Sequence, residues 1–238
     1  MNEEIYKKNF EIYYKKDPFS AIRMELIWDN VEVQFCHTQK GENNLFKERY
    51  GLRDFYHAQA GALEEAESYI ASQKERLDKA DVLYCYGLGL GYLYQALLPW
   101  LQANPLRHLV ILEDDFNPIW AFFFQPTATS LLQHPQVTLF AFYEYLQDYL
   151  RIFQLHAAFP RKKIEFLALP YYSKRQQQKT STLAYNLLHD ASTASALYGE
   201  YESGQLGFFQ NYYSNLFQLP GHYLASGLYN QFTNIPAI

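Results

Sequence analysis

Apolar side chains first recur at helical spacing in residues 2–16. There Tyr6, Phe10, Tyr13 and Tyr14 share one face, and Asp17-Pro18 stops the run. After Pro18 an extended region is expected, with two short apolar stretches, Met24 to Trp28 and Val31 to Phe35. They flank Asp29-Asn30, a pair suited to the positive φ angles of a two-residue hairpin turn. Val31, Val33 and Phe35 alternate with Glu32 and Gln34, which predicts a strand with one wet face, and Lys40 to Asn44 reads as a polar loop. Residues 1–55 are thus expected to form a small α+β appendage.

From residue 56 the pattern predicts a larger domain running to 238. A helix is expected over 58–79, with Leu63, Ala66, Ile70 and Leu77 near one face and Lys74, Arg76 and Lys79 at its carboxyl end, where they complement the helix dipole. Short apolar runs then alternate with helical spacing. Val82–Tyr86, Leu109–Leu112, Val137–Phe142 and Ile164–Leu169 read as strands. Helices are expected around Leu93–Leu101 and Glu144–Ala157, and after Pro170 a polar helical region extends from Lys174 to about Asn215. Strands alternating with helices imply a parallel sheet covered on its faces. The predicted fold is α/β: a Rossmann-like sheet flanked by helices, with the amino-terminal appendage and a helical carboxyl-terminal region.

The first βα junction carries the candidate chemistry. Gly87-Leu88-Gly89-Leu90-Gly91 lies between an apolar strand and an amphipathic helix that starts at Tyr92. In such a turn the first glycine bends the chain, the second lets a ligand approach the backbone, and the third allows helix and strand to pack closely. The helix amino terminus then offers N–H groups to an anion. A dinucleotide fingerprint, GxGxxG, would need its third glycine at Tyr92, so NAD is disfavoured. GxGxG is the pattern typical of S-adenosylmethionine-dependent methyltransferases. Glu113 ends the next strand, 22 residues beyond Gly91, where a carboxylate can accept hydrogen bonds from vicinal ribose hydroxyls. Gly87, Gly89, Gly91, Tyr92, Glu113 and Asp114 are therefore the candidate binding residues, for a nucleotide, a nucleotide-sugar or S-adenosylmethionine. A different reading takes Glu113-Asp114-Asp115 as carboxylates sharing a divalent ion with a diphosphate. A third leaves the turn as a packing device in an interaction module.

Composition narrows the classes. The chain is 49% hydrophobic and 19% charged, enough apolar material for a sizeable core. A net charge of −5 disfavours nucleic acid, whose binding needs a cationic surface. No apolar run approaches a membrane span, the densest being Ile119 to Phe124, and the start lacks an apolar signal core. With two cysteines, Cys36 and Cys85, in no CxxC pair, a reduced cytoplasm is the expected setting. The seven histidines show no metal-ligand spacing, and no serine sits in a GxSxG elbow. Aromatic content is high, with 22 Tyr and 18 Phe, which predicts half-buried rings and aromatic contacts that could include self-association.

The ordered segments Tyr86–Tyr92 and Val110–Asp114 resemble the amino-terminal domain of the motility accessory factor family, bacterial proteins associated with flagellin glycosylation. Leu52–Tyr69 is similar to the family motif L-x-S-x-Y-D-P-x-x-E-A-x-R, with His57 and Ala58 at its Asp-Pro positions and Glu65-Ala66-Glu67 kept in kind. Asn211–Leu216 and Phe232–Ile238 are similar to its N…N…PAI run, which in the family leads to a GxGPSL turn opening the central transferase domain. The resemblance implies a domain that assists transfer of a nonulosonic acid from a CMP-activated donor to flagellin or another acceptor. The donor chemistry is expected in the following transferase domain, which this chain does not reach, so whether the chain has enzyme activity stays open. Ile235–Ile238 is then expected to be the start of a strand of that domain.

Overall fold

The computed structural model describes residues 2–26 and 30–218. Met1–Ser195 form one compact unit and Ala196–Ile238 a second; the described part of the second, to residue 218, is helical. The Asp29-Asn30 turn falls partly outside the described residues, and the Phe232–Ile238 run wholly so.

In the first unit, α1 (Glu3–Lys16) is capped by the Asn2 side chain, and it buries Tyr6 and Tyr13. The next segment departs from the expected extended run: Pro18–Glu25 form a second helix, α2. Asp17-Pro18 ends one helix and starts another. The Asp17 carboxylate accepts the Ser20 N–H at 3.1 Å, and proline occupies the first turn, where its missing N–H costs nothing. Ser20, Ala21 and Met24 form the buried face of that helix. The strand expected up to Phe35 instead runs Val33–His37 (β1) and pairs antiparallel with β2 (Asn43–Arg49), which pairs with β3 (Leu52–Phe55). The hairpin therefore turns through the polar Lys40 loop.

The helix expected over 58–79 is two helices, α3 (Ala62–Ser72) and α4 (Lys74–Leu77). Then come β4 (Val82–Tyr86), α5 (Tyr92–Gln102), β5 (His108–Glu113), α6 (Phe116–Phe122), α7 (Pro126–Gln133), β6 (Val137–Ala141), α8 (Tyr149–Ala157), β7 (Ile164–Ala168), α9 (Pro170–Arg175) and α10 (Gln177–Gln218). The four later strands form one parallel sheet in the order β6-β5-β4-β7. This is an α/β Rossmann-like fold. Its chain order reverses direction between β4 and β7, and such folds place ligands outside the carboxyl ends of the strands at that point.

β4 is buried along its whole length, as expected of a central parallel strand covered on both faces. Tyrosines reach deeper than the expected half-buried positions: Tyr13, Tyr56, Tyr84, Tyr86 and Tyr172 are among the largest fully buried side chains. Four of their hydroxyls find polar partners: Tyr84 with His156 at 2.7 Å, Tyr86 with Asp114, Tyr56 with Asp115 and Tyr172 with Glu113. Those bonds remove most of the cost of burying them. Among the described residues, no helix is long and apolar enough to cross a membrane.

Candidate functional site

The glycine turn has the backbone its sequence requires. Gly87, Gly89 and Gly91 all have positive φ, at 102°, 52° and 81°, a region that side chains with a Cβ rarely adopt. Protein atoms already occupy the space that the missing Cβ atoms leave. A Cβ on Gly87 would stand 2.5 Å from the Tyr172 ring, one on Gly89 2.4 Å from Nε2 of His57, and one on Gly91 2.5 Å from the Phe122 ring. The third approach is the helix-on-strand packing read from the sequence. The second lies where a ligand was expected.

His57 follows β3 and is 3% exposed. The Asn44 side chain holds its backbone in place, donating to the His57 carbonyl at 2.8 Å and accepting its N–H at 3.2 Å. The ring then accepts the Leu90 N–H through Nε2 at 3.1 Å and packs edge-on against Tyr92, with centroids 4.9 Å apart. Burial pulls the His57 pKa down to about 3, so the imidazole is neutral and Nε2 is free to accept. Tyr92, a candidate binding residue, directs its hydroxyl away to the Asn43 carbonyl at 2.7 Å.

Glu113 lies at the tip of β5 as expected but is fully buried. Oε2 accepts the Leu88 N–H at 2.9 Å; Oε1 accepts the Asp115 N–H at 3.1 Å and the Tyr172 hydroxyl at 2.7 Å. Burial, with Asp114 and Asp115 beside it, pushes its pKa up to about 8, against the Leu88 and Tyr172 hydrogen bonds that favour the charged form. With Gly87 N–H bound to the Leu112 carbonyl and Gly91 N–H to the Leu88 carbonyl, the N–H groups of Gly87, Leu88, Leu90 and Gly91 all have partners within the chain.

The other two acids turn to different partners. Asp114 accepts the Tyr86 hydroxyl at 2.9 and 3.0 Å and pairs with Lys179 at 2.6 Å. Asp115 pairs with the buried Lys47 at 2.6 Å, accepts from Tyr56 at 3.2 Å, and caps α6 through the Asn117 N–H at 3.0 Å. Among the described residues, no group of three or more His, Cys, Asp or Glu side chains is placed to hold a metal ion. Tyr56, in the segment between β3 and α3, stacks on Tyr171 with centroids 4.3 Å apart.

Sequence reasoning singled out none of His57, Tyr172, Tyr56 or Lys47 as site residues. His57 and Tyr172 meet the turn, and Tyr56 and Lys47 meet Asp115, each across 30 or more residues of sequence (His57 lies 33 residues before Leu90), and local spacing carries no signal over that distance.

A cleft of about 790 Å³ opens beside the closed turn, at the carboxyl ends of β5 and β6. Asp114, Tyr143, Glu144 and Tyr145 form part of one wall, and the start of α10 another. Of the candidate binding residues, only Asp114 lines it.

No family model matches the chain, and no curated protein matches it. Among solved structures it is similar to the crystal structure of MNMC2 from Aquifex aeolicus, at 21% identity and a TM-score of 0.30. The match covers 60% of this chain and 56% of that one, so the chain spans little more than half the length of that protein.

Proposed function

We propose that this chain is a non-catalytic, Rossmann-like accessory domain of the motility accessory factor type, working beside a transferase domain in the cytoplasmic glycosylation of flagellin with nonulosonic acids. The family part of the reading is supported by the ordered segments Tyr86–Tyr92, Val110–Asp114 and Leu52–Tyr69. The non-catalytic part is supported by one observation: the glycine turn is closed by His57 and Tyr172 of the chain itself. A nucleotide seated there would have to displace a ring that satisfies the Leu90 N–H and another that donates to a buried carboxylate. Each vacated partner costs on the order of 1–3 kcal/mol.

A second reading, an S-adenosylmethionine-dependent methyltransferase, is favoured by the three positive-φ glycines between β4 and α5 together with an acid at the tip of the adjacent strand. It requires His57 to leave the turn. Amide NMR separates the two readings, because the Gly87, Gly89 and Gly91 signals report the turn directly. Titration with S-adenosylmethionine, S-adenosylhomocysteine, CMP, CDP or UDP is expected to leave them unmoved. Saturable shifts of all three would replace the accessory reading with the methyltransferase or a nucleotide-binding one. Deleting the gene in its bacterium should lower the intact mass of flagellin by its nonulosonic acid residues, and an unchanged mass would remove the flagellin assignment.

A further inference from the structure

We infer that the open cleft beside the turn binds a neutral, polyhydroxylated ring compound, such as an uncharged nucleoside or a free pyranose, and not a phosphorylated or otherwise anionic one. The cleft's position and size come first. Its walls follow directly on the carboxyl ends of β5 (Asp114) and β6 (Phe142 to Tyr145), the end of a parallel sheet where ligands gather. Its volume of about 790 Å³ falls within the range typical of small-molecule sites, about 300–1,000 Å³.

Charge then selects the class. Asp114 and Glu144 on the walls balance Arg175 and Lys179, and both cations are engaged. Lys179 pairs with Asp114 at 2.6 Å, and Arg175 pairs with Asp54 at 2.7 Å. The Asp114 side chain is 4% exposed, so a phosphate that drew Lys179 away would strand a buried carboxylate without its counter-charge. Lys179 itself is 55% exposed, so the cost falls on the carboxylate, which would keep the Tyr86 hydroxyl but no cation. An entering anion would also meet Glu144. A ligand without charge disturbs neither ion pair.

The remaining polar lining is made of groups that both donate and accept. Gln176, Gln177, Gln178 and Asn186 carry side-chain amides and Thr182 a hydroxyl, the inventory that matches ring hydroxyls. Gln176 Oε1 is enclosed and receives no hydrogen bond, so a ring hydroxyl reaches it only when the side chain turns toward the cleft. The aromatic faces are held in place. The Tyr145 hydroxyl donates to Asp190, and the Tyr143 ring packs 5.0 Å from Phe116 while remaining 41% exposed. Tyr143 and Tyr145 thus give an apolar ring face something flat to lie on.

This site is separate from the glycine turn, and its test reads different residues. Saturation-transfer NMR on the whole chain, with adenosine, cytidine and uridine in one arm and glucose, galactose and N-acetylglucosamine in the other, should show transfer in at least one arm, and which arm responds identifies the source. The side-chain amides of Gln176 and Asn186 should shift on titration while the Gly87, Gly89 and Gly91 amides do not. Asn186→Leu and Thr182→Val, both on the accessible side of α10, should each weaken binding tenfold or more with an unchanged circular dichroism spectrum. Adding a 5′-phosphate to the nucleoside should weaken it at least as much. No transfer in either arm, binding that survives both substitutions within twofold, or tighter binding of the phosphate than of the nucleoside would each overturn the inference.

Discussion

Replacing Gly89 with alanine puts a methyl carbon 2.4 Å from Nε2 and 2.6 Å from Cε1 of His57, and 3.4 Å from Leu169. Two costs follow from those distances and from the backbone. The residue is held at φ +52°, and an L side chain in the left-handed region costs about 1–2 kcal/mol. His57 cannot yield by a rotation of a few tenths of an ångström, because Asn44 clamps its backbone and Tyr92 abuts its ring. It must leave the turn, so the Leu90 N–H loses its acceptor inside the protein, at about 1–3 kcal/mol. The sum, about 2–5 kcal/mol, is a large fraction of a typical domain's stability of roughly 5–15 kcal/mol. Urea unfolding followed by circular dichroism measures it. The cause can be isolated by a double-mutant cycle with His57→Ala. That background has already lost the Leu90 acceptor and has no ring to meet, so only the conformational strain of about 1–2 kcal/mol remains. A coupling of about 1–3 kcal/mol is therefore expected. If Gly89→Ala costs the same with and without the imidazole, His57 does not sit on the turn and the closed-turn reasoning fails.

Two further outcomes follow from the acid behind the turn. Glu113 has a folded pKa raised to about 8 against 4.5 when exposed, so the unfolded chain releases this proton first, and the stability this group contributes is full below pH 4.5 and is lost as pH rises towards 8. His57, lowered to about 3 from 6.5, and His156, lowered to about 4 by burial, act with the opposite sign but only below pH 6.5. From pH 6.5 to 8 unfolding free energy should therefore drop by on the order of 1–2 kcal/mol. The drop should vanish in Glu113→Gln, and equal slopes for the two proteins would show that Glu113 does not titrate there. Tyr172→Phe keeps the ring over Gly87 but removes the donor to Oε1 at 2.7 Å. Its destabilisation should be greater at pH 8.5, about 1.5–3 kcal/mol for a bond to a charged acceptor, than at pH 5; a cost that does not change with pH would place the hydroxyl's partner elsewhere.

The parallel sheet was readable because its signal is local. Val82–Tyr86 and His108–Glu113 are apolar runs of strand length separated by helical spacing, and a buried parallel strand needs nothing else. The misread element, Pro18–Glu25, failed for an equally local reason. Asp-Pro is both a stop for the helix before it and a start for the helix after it, and the three buried residues Ser20, Ala21 and Met24 are a thin helical stripe to set against the β-like residues that follow. The split between α3 and α4 at Gln73 has no breaker such as glycine or proline to announce it.

The candidate site divides along the same line. Three glycines at a strand–helix junction specify a left-handed backbone and a close approach, and the structure has both. They do not specify what approaches. A methyl-sized gap over Gly89 fits a ligand oxygen or a histidine nitrogen equally well, so the identity of the occupant is written in residues 57 and 172, which only the tertiary fold brings near. The same ambiguity attaches to Glu113. A carboxylate at the end of the second strand can accept from two ribose hydroxyls or, as it does here, from two backbone N–H groups and a phenol. What separates a cradle from a packing turn is whether its N–H donors are uncommitted before any ligand arrives. Gly87, Leu88, Leu90 and Gly91 have given theirs to Leu112, Glu113, His57 and Leu88. An anion entering this turn would gain no hydrogen bond from those four groups without breaking one that exists. The open space, the balanced charge and the hydroxyl-matching amides lie one strand further along, beside β6, where the sequence carries no glycine motif at all.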